Sequence, residues 1–300
     1  MNRPVSHPAR SFDEAVTQIQ TLQTQDDDTI HPLSRTRLWS HGNKTARAIL
    51  YLQGYTDSIQ QFAPLGDLLF ERGYNVFAPR LTYHGHKDRM TQAHSQLTTR
   101  EMIEWTNAVT DMAFGLGEEL VVMGLSLGGV LATWVAQERA DVARVLIIAP
   151  AFGTSLLPTP LTIPAARVLK RLPNFFVWWD PRVREGAGFE YTYPRFATRS
   201  LAHTFLLGDE LLNAARKQPP AARKVWMITN ANDFAISNKM CEQFVAAWRA
   251  HETNQVYAFQ FPRALNLPHD VMDPADSLVK PEVVYPRLIE MIEQVADLSF

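Results

Sequence analysis

The 300-residue sequence lacks the features that mark several classes of protein. Its single cysteine, Cys241, has no partner in the chain for a disulfide and falls in a helical pattern as a small apolar residue. Basic and acidic side chains number 29 and 31, so the net charge is −2 and no basic stripe exists for a nucleic-acid backbone. Glycine and proline, 14 and 19, are too few for a disordered chain. These absences favour a globular protein that folds without disulfides and does not bind nucleic acid.

Targeting and membrane signals are also missing. Residues 1–20 contain charges and proline but no apolar core of a secretion signal, so we expect a cytoplasmic location. Residues 120–137 carry no charge and have the length of a membrane span. This stretch divides into a strand-like and a helix-like half, however, and small residues interrupt it: Gly124, Ser126, Gly128 and Gly129. We therefore predict no transmembrane segment.

Short apolar or β-branched runs alternate with helical patterns along most of the chain. This alternation predicts an α/β fold with a mostly parallel central sheet flanked by helices. An N-terminal extension, residues 1–35, is expected to contain a peripheral helix near residues 11–25. The predicted strands cover residues 36–40, 48–53, 75–81, 119–125, 143–150, 225–230 and 256–261.

The alternation stops between residues 152 and 220, where the sequence becomes rich in proline and aromatic residues. A connection of this length is expected to have its own structure, and we predict a helical or irregular cap (a lid) inserted between two parts of the core, residues 36–151 and 221–300. Two interpretations of the aromatic cluster at residues 175–179 remain open, a wall for an acyl chain or the core of the cap itself. The candidate substrate-binding residues of the cap are Leu157, Phe175, Trp178 and Trp179.

The strongest chemical signal is the segment Gly124-Leu125-Ser126-Leu127-Gly128. It directly follows an apolar strand and begins a helix, and that position is typical of a nucleophile elbow, in which small residues permit a tight turn that exposes the serine hydroxyl. The alternative is a glycine-rich helix start packed closely on a strand. We identify Ser126 as the candidate nucleophile.

A serine nucleophile needs a base and an acid, which follow the serine in chains of this organisation. His203 lies inside the insertion and His251 ends a helix, whereas His269 lies in a loop after the last predicted strand. His269 is therefore the candidate base. Asp233, in the polar turn that closes the preceding strand, is the candidate acid. Asp270 is its chief competitor, although adjacent side chains in a loop usually point apart.

Together these residues resemble the α/β-hydrolases, and in particular bacterial carboxylesterases and monoacylglycerol lipases. The resemblance implies an oxyanion hole formed by the main-chain N–H groups of Tyr55 and Leu127. Family members commonly carry His-Gly where this chain has Gln53-Gly54, so glutamine must replace the hydrogen bonds of that histidine. The matching segments are residues 50–58, 78–81, 84–86 and 124–128, together with Asp233 and His269.

The resemblance implies a serine hydrolase of carboxylic esters, of esterase or lipase type, that forms an acyl-enzyme without a cofactor or metal ion. Its expected substrate is a small or lipid-like ester with an apolar acyl chain, such as a monoacylglycerol. Hydrolysis of thioesters, amides or diketones on the same triad, and non-catalytic ligand binding, are the alternatives. His84, His86 and Asp88 suggest a metal site only weakly, because no further ligand is placed by spacing.

Overall fold

The predicted strands form in the computed structural model, which describes residues 4–293 of the chain. Within that range the strands are β1 (Arg37–Trp39), β2 (Thr45–Leu52), β3 (Asn75–Ala78), β4 (Gly117–Leu125), β5 (Arg144–Ile148), β6 (Phe176–Trp178), β7 (Arg195–Ala197), β8 (Lys224–Asn230) and β9 (Val256–Phe261). The helices are α1 (Phe12–Gln23), α2 (Ala63–Glu71), α3 (Thr99–Ala113), α4 (Leu127–Glu138), α5 (Thr159–Leu169), α6 (Thr198–Ala215), α7 (Asn238–Arg249) and α8 (Pro281–Glu293). Residues 294–300 of the predicted core lie outside the described residues.

A seven-stranded sheet in the order β1-β3-β2-β4-β5-β8-β9 forms the centre of the molecule. Its neighbouring strands are parallel except for β1, which is antiparallel to β3. The strands β2, β4, β8 and β9 therefore all end at one edge of the sheet. Loops at the carboxyl ends of parallel strands are where α/β sheets bind ligands. This edge is also where the candidate site residues follow their strands.

Both faces of the sheet are covered, which explains why its central strands are mostly apolar after their first residues. Side chains of β4 alternate between two cores, with Val122 in the core beneath α3, α4, α6 and α7, and Met123 in the core beneath α2 and α8. The α/β prediction is confirmed, and the sheet provides a rigid base for the loops at its carboxyl edge.

The N-terminal helix α1 packs more closely than the sequence suggested. Its N-cap is Ser11, whose side chain accepts a hydrogen bond from the main-chain N–H of Glu14 over 3.1 Å. The helix was expected to be peripheral, yet Ala15 and Ile19 are fully buried in the core against the end of α3. The four-residue spacing of these side chains creates a small apolar stripe that a short amphipathic helix must bury.

The predicted insertion, residues 152–220, contains α5, the two-stranded antiparallel sheet of β6 and β7, and α6. Helix α6 lies against α4, and Leu207, Leu211 and Leu212 belong to the same core as β4. We therefore propose a narrower cap, residues 154–197, and assign α6 to the core.

Within residues 4–293, no helix has both the length and the apolarity needed to cross a membrane.

Candidate active site

Ser126 occupies a strained turn between β4 and α4, with φ of 57° and ψ of −113°. Glycine is required on both sides of this turn. A Cβ atom at Gly124 would overlap the carbonyl group of Gly128, and one at Gly128 would overlap the carbonyl group of Leu52. The main-chain N–H of Ser126 donates to the carbonyl oxygen of Ile148 over 3.0 Å, which fixes the turn to β5. This geometry presents the hydroxyl at the start of α4, as a nucleophile elbow does.

The three residues proposed as a triad are in hydrogen-bond contact. His269 Nε2 lies 2.9 Å from Ser126 Oγ, and His269 Nδ1 lies 2.7 Å from Asp233 Oδ2. Asp233 Oδ1 accepts hydrogen bonds from two main-chain N–H groups, those of Ala235 and Ile236, so the carboxylate cannot rotate freely. The arrangement lets the imidazole accept the serine proton while the buried carboxylate orients it and stabilises its charged form.

The competing residues considered in the sequence analysis make other contacts. Asp270 Oδ2 accepts a hydrogen bond from Gln61 Nε2 over 2.6 Å. His203 Nδ1 accepts one from the main-chain N–H of Thr99, and His251 Nε2 bonds a carbonyl oxygen at the end of α6. The geometry therefore favours Asp233 and His269 as partners of the serine.

The pKa of His269 is set by two opposing effects. Burial lowers it, but the hydrogen bond and negative charge of Asp233, together with the charge of Asp270, raise it by more, so the pKa lies above the ordinary imidazole value of 6.5. Because only neutral imidazole can accept the serine proton, we expect kcat/KM for ester hydrolysis to rise with pH through an apparent pKa above 6.5. A rate profile measured from about pH 5 to 9 tests this. A profile without such a rise would exclude His269 as the base.

The loop after β2 passes beside the nucleophile. A Cβ atom at Gly54 would lie 3.7 Å from Ser126 Cβ. Gln53 Nε2 donates to the carbonyl oxygen of Asp57 over 2.6 Å, and Gln53 Oε1 accepts from the main-chain N–H of Leu81 over 3.2 Å. Both ends of the Gln53 amide group thus hold this loop. Glutamine here makes the kind of hydrogen bonds that the histidine makes in related proteins with His-Gly at this position.

The predicted oxyanion donors belong to the residue after the serine and to the residue after Gly54, whose backbone passes beside Ser126. Leu127 is the first residue of α4 and Tyr55 lies in the loop after β2. Neither main-chain N–H has a protein acceptor within residues 4–293. Both groups are therefore available to a substrate oxygen, and their role as an oxyanion hole is taken up below as part of the proposed mechanism.

A half-buried pair of carboxyl groups, which no sequence pattern indicated, joins this loop to the histidine loop. Gln61 Nε2 donates to Asp57 Oδ2 over 3.0 Å and to Asp270 Oδ2 over 2.6 Å, while Gln61 Oε1 accepts from the main-chain N–H of Gly54 over 3.0 Å. Burial, followed by the charge of Asp270, raises the pKa of Asp57 well above its ordinary value. The pair therefore keeps a proton at pH values above those at which carboxyl groups ordinarily ionise.

The candidate cap residues lie at different places. Leu157 is 38 % exposed and lines an open, partly polar cavity of about 540 Å³ beside Asp233. Trp178 lies beneath the guanidinium of Arg195, and Phe175 joins the cap to the start of α6. Trp179 donates a hydrogen bond to Thr56 rather than standing only as an apolar wall.

The histidines suggested as a metal site are not grouped for ligation. His84 is fully buried, and burial lowers its pKa to about 3. In the part of the chain that the structure describes, no group of three or more histidine, cysteine, aspartate or glutamate side chains is placed to hold a metal ion.

Comparisons with known proteins bear on both sequence and fold. A sequence model of the family described as serine aminopeptidase, S33, matches residues 43–258. A pyrethroid hydrolase of Sphingobium wenxiniae is 30 % identical over 130 residues, and this match covers 43 % of each protein. The match to that curated relative therefore spans less than half of its length.

Solved structures of lipolytic enzymes share the fold. A structure reported for the metagenome-derived enzymes LipS and LipT superposes with a TM-score of 0.64 at 18 % identity, covering 88 % of this chain and 100 % of that one. A soluble variant of the monoglyceride lipase of Saccharomyces cerevisiae gives 0.63 at 15 % identity, covering 86 % and 91 %. The monoacylglycerol lipase of Paleococcus ferrophilus gives 0.63 at 14 % identity, covering 85 % and 98 %.

Proposed function

Since this chain belongs to the serine aminopeptidase (S33) family of α/β-hydrolases, we propose that it hydrolyses carboxylic esters through an acyl-enzyme on Ser126. The observation that carries the proposal is the hydrogen-bonded relay from Ser126 Oγ through His269 to Asp233, with distances of 2.9 and 2.7 Å. A serine hydroxyl is a weak nucleophile until a positioned base removes its proton, and the relay supplies that base.

In the proposed mechanism, Ser126 Oγ attacks the ester carbonyl carbon while His269 Nε2 takes the hydroxyl proton. The main-chain N–H groups of Tyr55 and Leu127 stabilise the oxyanion that forms. The tetrahedral intermediate then collapses, the carbon–oxygen bond breaks, and His269 gives the proton to the departing alcohol. Water, deprotonated by the same imidazole, releases the acid and restores the serine.

The cap supports an ester with an apolar acyl chain as the substrate. Leu156 is 84 % exposed and forms, together with Leu157, the apolar side of the open cavity beside Asp233, whose other side carries polar residues such as Asn238 and Arg263. Phe234, which is 73 % exposed, directly follows the proposed acid. Side chains this apolar favour contact with an acyl chain, and each methylene group that is buried contributes about 0.8 kcal/mol. The lipolytic enzymes that share the fold agree with this substrate class.

A fluorophosphonate probe tests the proposed function directly, since it reacts with activated serine nucleophiles. We expect mass spectrometry to locate the probe on Ser126, and the protein to cleave nitrophenyl esters faster than matched thioesters and amides. An unlabelled Ser126 would favour a non-catalytic binding protein with this fold. Labelling together with faster thioester or amide cleavage would assign a different bond to the same triad.

Leu157→Ala is expected to change acyl-chain preference. Removing this partly exposed side chain from the cavity should lower kcat/KM for a nitrophenyl octanoate by about tenfold, because the contacts of about two methylene groups, at about 0.8 kcal/mol each, are lost. The acetate ester is too short to lose these contacts, so its kcat/KM should stay within about twofold of the parent value. Steady-state kinetics with both esters give the comparison.

Leu172→Ala provides a matched control, because Leu172 is a cap leucine that is 43 % exposed and lies apart from the residues lining this cavity. It should leave the ratio of octanoate to acetate activity unchanged. Equal changes in that ratio for both variants would assign the cavity no part in acyl recognition.

A further inference from the structure

Thr56 has a backbone conformation that its side chain disfavours. Its φ is 63°, in the left-handed region, where β-branched residues are outliers. The residue directly follows Tyr55 in the loop after β2 and is 5 % exposed. A conformation of this kind persists only where surrounding contacts hold it.

The contacts that hold Thr56 come from the cap. The indole N–H of Trp179 donates to Thr56 Oγ1 over 2.8 Å, and the main-chain N–H of Tyr193 donates to the Thr56 carbonyl oxygen over 2.7 Å. Thr56 Oγ1 in turn donates its proton to the carbonyl oxygen of Tyr55 over 2.6 Å. The hydroxyl is therefore engaged as both acceptor and donor, which fixes its direction.

The two cap segments that make these contacts are themselves anchored. The main-chain N–H of Trp179 donates to the carbonyl oxygen of Pro194 over 3.0 Å, which joins one segment to the other. Tyr193 is buried, and its hydroxyl accepts a hydrogen bond from the main-chain N–H of His86 over 2.9 Å. Trp179 itself is 48 % exposed, so burial of its ring is incomplete and its indole N–H is its most specific contact.

We propose that Trp179 is a positioning residue, which holds Thr56 and thereby keeps the main-chain N–H of Tyr55 directed at the substrate oxyanion. The inference rests on the proposed function. An oxyanion donor acts only when it lies about 2.7–3.1 Å from the position of the developing charge, so a small relaxation of Thr56 is sufficient to weaken it. The cap then contributes to the chemical step as well as to substrate binding.

This role predicts a kinetic signature that an apolar wall does not. A wall residue contacts the acyl chain, so its loss raises KM and does so more for longer chains. A residue that positions the oxyanion loop acts on the carbonyl group, which every ester shares. Its loss lowers kcat by the same factor for all acyl lengths and leaves KM unchanged.

The test uses Trp179→Phe, which keeps an aromatic ring and removes the N–H. We expect kcat to fall about tenfold for both nitrophenyl acetate and octanoate, less than the 10²- to 10³-fold that loss of a whole oxyanion donor costs. Thr56→Val removes the same hydrogen bond from the other side, together with the bond from Thr56 Oγ1 to the Tyr55 carbonyl oxygen, and should lower kcat at least as much. Trp179→Phe should then add nothing in the Thr56→Val background, because the bond is already absent.

Trp39→Phe is the matched control. It also removes an indole hydrogen bond, that of Trp39 Nε1 to Asp67 Oδ1 at 2.6 Å, but on the edge strand β1. It should leave kcat unchanged.

Additive losses in the double variant, or a rise in KM that grows with acyl length, would overturn the positioning role. A wild-type protein that fluorophosphonate does not label would instead overturn the proposed function, whereas a labelled wild type with an equally reactive Trp179→Phe would overturn this inference alone.

Discussion

Ser126→Ala is expected to lower ester hydrolysis by about 10⁴-fold or more while the fold persists. The substitution removes one hydroxyl group, and with it the atom that would carry the acyl group. The main-chain hydrogen bond from residue 126 to Ile148 does not depend on that hydroxyl, so the turn keeps its anchor to β5. Initial rates with a nitrophenyl ester measure the loss, and thermal unfolding reports whether the fold is retained.

Ser40→Ala serves as the control for this substitution, since Ser40 follows the edge strand β1 and its hydroxyl accepts a hydrogen bond within its own turn, from the main-chain N–H of Gly42. It should retain full activity and fluorophosphonate labelling, whereas Ser126→Ala should lose both. Turnover near the parent rate in Ser126→Ala, with the substitution verified by mass spectrometry, would show that another group carries the reaction.

The candidate triad was predictable because its members follow strands. In a parallel sheet the carboxyl ends of neighbouring strands lie at one edge, so the loops after β4, β8 and β9 meet whatever their separation along the chain. Sequence patterns locate strand ends well, and they therefore located Ser126, Asp233 and His269 together.

The contacts between the cap and the oxyanion loop were not predictable in the same way. Trp179 and Thr56 are 123 positions apart, and no periodicity in the sequence links them. The aromatic residues near Trp179 indicated either an apolar wall for an acyl chain or the core of the cap, because composition reports how apolar a segment is and says nothing of where one indole N–H points. The sequence does not indicate the positive φ of Thr56 either, because residues in the left-handed region are usually glycine or asparagine.

The proposed cap boundary depends on packing that the sequence could not give. Leu207 and Leu211 are spaced by four residues, which predicts one apolar helix face but not its partner. The structure places that face against α4, in the core beneath the sheet. The half-buried pair of Asp57 and Asp270 was not predicted for a related reason, because carboxylates ordinarily indicate a solvated surface.

Asp233→Asn is expected to lower kcat by about 10⁴-fold without unfolding the protein. Asp233 Oδ1 accepts hydrogen bonds from the main-chain N–H groups of Ala235 and Ile236, at 2.9 and 3.2 Å, and the amide oxygen of asparagine must take that place. The amide NH₂ group then faces His269 Nδ1, which can only accept its hydrogen bond. The imidazole proton then lies on Nε2. Because a protonated Nε2 has no free lone pair, it cannot accept the serine proton.

Asp270→Asn is the decisive comparison, because the same change is made at the residue next to His269. Asp270 Oδ2 accepts a hydrogen bond from Gln61, and an amide in its place removes one member of the half-buried carboxyl pair without altering the tautomer of the imidazole. We expect its kcat to stay within about tenfold of the parent value, since the oxyanion loop retains its other contacts. Rates near normal for Asp233→Asn beside an inactive Asp270→Asn would transfer the role of the acid to Asp270.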